Sequence, residues 1–153
     1  MVKKLSMLLL SLCLCFCLFA CQSRNKNQPL NLSIPEIIEL IDNSADMSCT
    51  IETTEPLDNE KKNSLKSILS EIEFSSLSDT SLIQDKECKL YIYLFNHDEK
   101  VDISFYKNDN SILVGTSSHK VDPAANEVTV MLYTENVYEI TTDDFQKILD
   151  VLG

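Results

Sequence analysis

Cysteine is the residue type with the most chemical potential in this chain, and its six copies fall into two groups. Four lie within or at the end of an uncharged N-terminal run: Cys13, Cys15, Cys17 and Cys21. The other two, Cys49 and Cys88, lie far apart in the body of the chain. No Cys-x-x-Cys pair and no metal-ligand spacing occurs among them, so the sequence favours neither redox catalysis nor a metal centre. We therefore predict no metal site and no cofactor.

The first 21 residues have the organisation of an export signal. Lys3 and Lys4 form a basic start, residues 5–20 carry no charge, and Leu18-Phe19-Ala20-Cys21 ends the run. This ending resembles the lipobox of bacterial lipoproteins, in which a diacylglyceryl group is joined to the cysteine sulfur and the chain is cut before it. Phe19 stands where a small residue is usual. The resemblance implies a signal peptide over residues 1–20 and fatty chains such as palmitate on Cys21.

Two other interpretations of this run fit less well. Its 16 uncharged residues would make a helix of only about 24 Å, short of the ~30 Å hydrocarbon core. A plain secretory signal would end in a small-x-small pattern, which Phe19-Ala20 does not supply. Two acyl chains meet the requirement for stable anchoring. We expect a lipid-anchored protein on the extracytoplasmic face of the cell membrane, with residues 21–33 as a polar, flexible tether.

The charge of the remaining chain limits its partners. Removal of residues 1–20 takes away two lysines and leaves 11 basic against 24 acidic residues, a formal charge of −13. Phosphate backbones and anionic headgroups attract Lys and Arg and repel such a protein, so we predict no nucleic acid partner. A basic protein or peptide, or a divalent cation, suits the charge better. The charge also has a simpler explanation, the solubility of an exported domain.

Cys49 and Cys88 allow two interpretations. In an exported protein they can form a disulfide. In the chain-entropy model, closing a loop of this length would raise the free energy of unfolding by about 4 kcal/mol. Both also fall on the apolar side of predicted strands, where a thiol behaves as a small buried hydrophobic group. The sequence leaves the choice open.

Residue patterns typical of common enzymes are absent from the sequence. The chain has only Gly115 and Gly153, so it contains no Gly-rich phosphate loop, no dinucleotide fingerprint and no Gly-x-Ser-x-Gly elbow. His97-Asp98-Glu99 and Asn108-Asp109-Asn110 lie at predicted hairpin turns, where polar residues are expected for turn geometry alone. Asp143-Asp144 fall in the first turn of a predicted helix, where the helix dipole favours negative charge. We predict no catalytic residues and a protein that is not an enzyme.

Aromatic side chains give the most specific candidate for binding. Tyr91, Tyr93 and Phe95 share the face of their predicted strand that is opposite the apolar core face. Tyr106, Met131 and Tyr133 have the same parity on other predicted strands. Either a helix such as 34–42 covers this face, or it forms an exposed aromatic patch of the composition found at recognition surfaces. In the second case it would bind an envelope protein, a peptide or a glycan.

The elements that position these residues follow from hydrophobic period and turn signals. Ser33 and Glu36 form a capping box before an apolar helix to about residue 42. Further helices are predicted at 58–73 and after a cap at Thr141 or Thr142. Strands are predicted at these ranges: 47–54, 88–95, 101–106, 112–116, 128–134 and 138–140. Residues 75–87 are predicted to be a loop. Short strands joined by tight turns favour antiparallel pairing.

The expected architecture is a single α+β domain over residues 34–153. It would contain an antiparallel sheet of about five strands and two to three helices, packed mainly on one face. The closing stretch Tyr138-Glu139-Ile140, which leads into the helix from Thr141 to Leu149, resembles the end of small domains in Gram-positive lipoproteins of unknown function. That resemblance supplies no catalytic residues. We expect a non-catalytic interaction or accessory module. An extracytoplasmic ligand- or ion-binding protein and a hydrolase with an unrecognised site are the alternatives.

Overall fold

The computed structural model describes residues 27–50, 54–96, 99–121 and 134–153. The strands in this part of the chain are β1 (Asn27–Pro29), β2 (Asp46–Thr50), β3 (Thr54–Pro56), β4 (Ser75–Leu77), β5 (Cys88–Asn96), β6 (Glu99–Asn108), β7 (Ser111–Val121) and β8 (Asn136–Thr141). The helices are α1 (Ile34–Asn43), α2 (Asn59–Glu71) and α3 (Thr142–Leu152). A short 3-10 helix covers Thr80–Ile83.

All strands in the described part of the chain pair antiparallel in one sheet. Seven of them lie side by side in the order β3-β2-β5-β6-β7-β8-β4, and β1 pairs with the far end of β7. The predicted α+β class and antiparallel pairing are confirmed, but the sheet is larger than the five strands expected. The additional strands β1, β3 and β4 have three residues each, too few to show an alternating pattern in the sequence.

The helices begin where their capping residues predict. The Glu36 carboxylate accepts hydrogen bonds from the backbone N–H and the hydroxyl of Ser33, at 2.8 and 2.6 Å, and these bonds lower the Glu36 pKa. The Asp144 N–H donates to the Thr141 hydroxyl at 3.1 Å before α3. The Lys61 N–H donates to Asp58 at 2.8 Å before α2. The bonds from Asp144 and Lys61 each satisfy a backbone donor of a first turn, and Glu36 satisfies the N–H of the N-cap residue Ser33.

The three helices cover one face of the sheet. Their buried side chains, such as Ile37, Leu65 and Ile148, belong to the same apolar cluster as Leu90 and Phe105 of the sheet. The helix-facing positions of β5 and β6 are Leu90, Ile92, Leu94, Val101, Ile103 and Phe105. The opposite face of the sheet therefore carries the alternate residues of the same strands.

The predicted tether is too long at its C-terminal end. Residues 27–29 pair with β7 as β1, and the Leu30 N–H donates to the Ser118 carbonyl at 2.8 Å. The Leu32 N–H donates to the Ser118 hydroxyl at 3.0 Å, and the Leu32 side chain packs against the core. Polar residues join the sheet here because β7 extends beyond β8 and offers unpaired backbone groups, which local composition does not reveal.

The predicted loop at 75–87 contains structure that covers part of the sheet. Ile83 of the 3-10 helix packs with Leu113 and Val137 in a second, smaller cluster on the face opposite the helices. Gly115 makes room for it, because a Cβ there would lie 3.1 Å from Cδ1 of Ile83. We attribute the missed elements to their dependence on contacts distant in sequence.

The N-terminal run and three shorter stretches, including all but the last residue of the strand predicted at 128–134, lie outside the described residues. Among the helices that the structure describes, none has the length and apolar character needed to cross a membrane.

Candidate functional site

The predicted aromatic side chains of β5 form a row on the sheet face opposite the helices. We call Tyr91, Tyr93 and Phe95 the aromatic ridge. The rings of Tyr91 and Tyr93 stack with centroids 5.9 Å apart and an interplanar angle of 13°. Phe95 is 39% exposed, and the two tyrosines are half-buried. The alternative in which α1 covers this row is wrong, because α1 packs on the other face.

Both neighbouring strands place polar side chains beside the ridge. On β2, Asp46, Ser48 and Thr50 pair with Phe95, Tyr93 and Tyr91. On β6, the corresponding partners are Lys100, Asp102 and Ser104. The side chains on β2 are short, so the larger rings project beyond them. On the β2 side this border is accessible and includes the exposed Asp46. An aromatic centre with an accessible polar border is the composition of protein interaction surfaces.

A buried ion pair supports the ridge from β6. Lys100 and Asp102 are 2% and 3% exposed, and the Lys100 ammonium lies 3.2 Å from Oδ1 of Asp102. The ammonium also lies 5.4 Å from the ring centroid of Tyr93 and 5.8 Å from that of Phe95. These distances allow cation–π attraction, which is strongest for a desolvated cation. The pair thereby restrains both rings.

The polar contacts of Asp102 are incomplete. Its Oδ2 accepts a long hydrogen bond of 3.4 Å from the Ser117 hydroxyl. Its Oδ1 makes no hydrogen bond of acceptable geometry, so the 3.2 Å contact with Lys100 is electrostatic in character. Sequence reasoning missed this pair because a strand alternating Lys, Val, Asp and Ile reads as one with a solvated polar face. The available signal was the opposite charges at positions i and i+2.

The ridge tyrosines are neutral hydrogen-bonding groups. Burial raises the pKa of Tyr91, with a further contribution from Cys88. Burial also raises the pKa of Tyr93, and the nearby Asp102 carboxylate adds to the shift. Their hydroxyls therefore stay protonated at physiological pH. They can donate and accept hydrogen bonds but are poorly suited to act as general bases.

Of the other predicted members of the aromatic patch, Tyr106 lies beside the ridge, with its side chain within hydrogen-bonding reach of Tyr91. Tyr106 lies on the same face, paired with Leu113 of β7, and packs against the small cluster around Ile83. Met131 and Tyr133 lie outside the described residues. The structure thus brings Tyr106 together with the three aromatic residues of β5.

The two cysteines of the domain are free thiols. Cys49 is buried and pairs with Ile92, whereas Cys88 lies four positions before Ile92 on β5. That separation is more than about 10 Å along the strand, too far for a disulfide. The possible bridge is therefore absent from the structure. Burial raises the pKa of both thiols, so neither is an activated nucleophile.

Of the acidic side chains singled out in the sequence, Asp144 has structural partners and Asp98 lies outside the described part. Asp144 accepts hydrogen bonds from Lys147 and Thr141, and the Lys147 contact chiefly lowers its pKa. Asn108 donates to the Ser111 hydroxyl within the turn between β6 and β7. His97 and Asp98 lie outside the described residues. Within the four described ranges, no cluster of three or more acidic, histidine or cysteine side chains could hold a metal ion.

A groove of about 500 Å³ lies on the helix side of the molecule. Its apolar lining consists of Ile34, Ile38, Leu69, Ile72, Phe74 and Tyr138. The rings of Phe74 and Tyr138 meet edge to face, with centroids 6.0 Å apart. Burial raises the pKa of Tyr138. This groove was not predicted, because it forms only where α1, α2 and β8 come together.

Comparison of the chain with protein-family models, with curated proteins and with solved structures finds no match. Inferences about function therefore depend on the residues and geometry described above.

Proposed function

We propose that this protein is a lipid-anchored lipoprotein of the cell envelope whose domain is a non-catalytic interaction module. In this proposal, the aromatic ridge is the contact surface and an envelope protein is the partner. The observation that carries the proposal is the half-exposed row of Tyr91, Tyr93 and Phe95 between polar rows on the sheet face away from the helices.

The physical character of the ridge supports a contact with protein. Tyrosine supplies a large contact area and a hydrogen-bonding hydroxyl, with few rotamers to immobilise. Stacking of Tyr91 on Tyr93, and the Lys100 ammonium near Tyr93 and Phe95, hold the rings in place before a partner arrives. A surface arranged in advance loses less conformational entropy on binding.

Substitution of the two stacked tyrosines tests the ridge. In native membranes, the full-length Tyr91→Ser, Tyr93→Ser variant is expected to lose at least about tenfold in crosslinking to its partner, because central aromatic residues dominate interface energies. Quantitative mass spectrometry of crosslinked products from tagged protein gives the measurement.

Matched variants separate loss of the surface from loss of folding. Tyr91→Phe with Tyr93→Phe keeps the rings and should retain most crosslinking. Leu82→Ser changes another exposed apolar residue, 40% exposed and outside the ridge, and should have no effect. Equal crosslinking by the serine variant and the unmodified protein would reject the ridge as the contact surface. Crosslinking only to polysaccharide would favour a glycan partner instead.

The anchor is tested at Cys21. The protein without substitutions is expected to fractionate with membranes. Its intact mass should correspond to a chain that lacks residues 1–20 and carries added acyl groups. Cys21→Ser removes the sulfur that the lipid would modify, so its product should lack the acyl mass. If the protein without substitutions keeps Met1 and carries no acyl mass, the proposed lipid anchor is contradicted.

A further inference from the structure

We propose that the groove between α1 and α2 binds a basic amphipathic helical segment of a partner protein. The site is on the helix side of the molecule, whereas the aromatic ridge is on the opposite face of the sheet. This second docking surface is therefore independent of the ridge. A negative result for the groove would not contradict the proposal for the ridge.

The shape and lining of the groove suit a helix. Ile34 and Ile38 are one turn apart on α1, and Leu69 and Ile72 are one turn apart at the end of α2. Ile34, Leu69 and Ile72 are buried and form the floor of the groove. The apolar face of a partner helix would contact chiefly the partly buried Ile38, Phe74 and Tyr138. The volume of about 500 Å³ lies within the range of ligand sites, roughly 300–1,000 Å³.

The groove keeps apolar surface accessible although it borders the core. Ile38, Phe74 and Tyr138 pack against the core cluster but are only partly buried. A partner side chain placed between them would remove further apolar area from water, which is the main favourable contribution to association.

Charge at the rim selects the sign of the partner. Glu39 lines the groove, and Glu71 and Glu73 flank Ile72 in the sequence; all three are exposed. None of the ion pairs between described residues includes these three carboxylates. An apolar floor with the exposed Glu39 carboxylate at its edge is complementary to a segment with Leu-like residues on one face and Lys or Arg on its flanks.

The lysines near this rim are engaged elsewhere. Lys66 pairs with Asp42 between the two helices. Lys147 lies 2.7 Å from Asp144, although Glu71 is close enough to help raise its pKa. The rim therefore keeps negative character, which attracts a basic peptide and repels an anionic lipid surface.

The test uses a synthetic peptide of about 18 residues, or five helical turns, with Leu at helical spacing and Lys on the other faces. One Leu is replaced by a photo-reactive phenylalanine derivative. The full chain is held in uncharged phosphatidylcholine vesicles, and binding to empty vesicles is subtracted. We expect saturable binding that weakens with added salt, with crosslinks at residues 33–39 and 69–74.

Variants distinguish the groove from the general negative charge of the protein. Glu39→Gln should weaken binding about two- to threefold, the size expected for one exposed ion pair. Ile38→Ser should weaken it about tenfold through lost apolar contact, and its unfolding transition is measured to confirm folding. Leu82→Ser, which lies away from the groove, should leave the affinity unchanged.

Peptide controls complete the test. A peptide of equal charge with Ser in place of Leu should bind much more weakly, as should one with Glu in place of Lys. Equal binding by the Ser peptide, crosslinks outside the two groove segments, or no effect of the glutamine variant would overturn the proposal.

Discussion

Replacing Asp102 with alanine is expected to lower the free energy of unfolding by about 3–5 kcal/mol. The substitution leaves the Lys100 ammonium, which is 2% exposed, without the carboxylate 3.2 Å away. An unpaired buried charge bears the full cost of its desolvation, because no water replaces the missing partner. Chemical denaturation of the full chain in detergent, followed by circular dichroism, measures the loss.

A double variant separates the net contribution of the ion pair to stability from the free-energy cost of leaving one of its charges unpaired. Lys100→Met with Asp102→Leu removes both charges and keeps comparable volume, and it should recover most or all of the stability lost in Asp102→Ala. The size of the recovery reports the coupling between the two residues. Ordinary surface substitutions change the free energy of unfolding by no more than about 0.5 kcal/mol. If Asp102→Ala has an effect this small, Lys100 reaches water.

The second large effect is expected at Phe105. Phe105→Ala should destabilise the fold by about 3–5 kcal/mol through lost transfer energy and the cavity left behind. The side chain is fully buried and joins the layers, because its ring centroid lies 5.5 Å from that of Phe145 on α3. On the sheet it sits between Leu90 and Val114. Denaturant unfolding of the full chain is again the measurement.

Phe105→Leu is the matched control for this site. It keeps a large apolar side chain and loses only the ring, so it should lower the free energy of unfolding much less than the alanine variant does. A loss below about 1 kcal/mol in Phe105→Ala would mean that the layers repack without a cavity. In that case α3 would not be fixed on the sheet by this contact.

The two proposed surfaces occupy opposite sides of the sheet, which has consequences for how variants combine. Effects of ridge and groove variants on stability should add, since the sites share no contacts. The domain could then bind two different partners at once. Pairing of Asn27–Pro29 with β7 fixes the start of the described domain. The six residues 21–26 before β1 correspond to about 20 Å of fully extended chain.

The helices and central strands were predictable because their signals are local. The Ser33–Glu36 cap, a cap at Thr141 or Thr142 and the apolar spacing of Phe145 and Ile148 are each contained within a few residues. The structure confirms the first and the spacing, and it selects Thr141 as the second cap. Alternation along β5 also placed Tyr91 and its neighbours on the face away from the core. These patterns depend only on the geometry of one helix or strand.

Other features depended on residues that are distant in the sequence. Nothing near residues 27–29 indicates a strand, because its partner is the end of β7, which is some ninety positions later. The burial of Lys100 and Asp102 likewise could not be inferred from a polar alternation that normally faces water. The groove needs Ile38, Leu69 and Tyr138, which come from three separate elements.

The sequence by itself determined the α+β class, the positions of the three helices and the sheet face on which the aromatic residues of β5 stand. Tertiary structure decided the size of the sheet, the pairing of Lys100 with Asp102, the separation of Cys49 from Cys88 and the existence of the groove. The physical reason is that periodicity and capping act within one element, whereas burial, ion pairing and cavity shape depend on which elements come together.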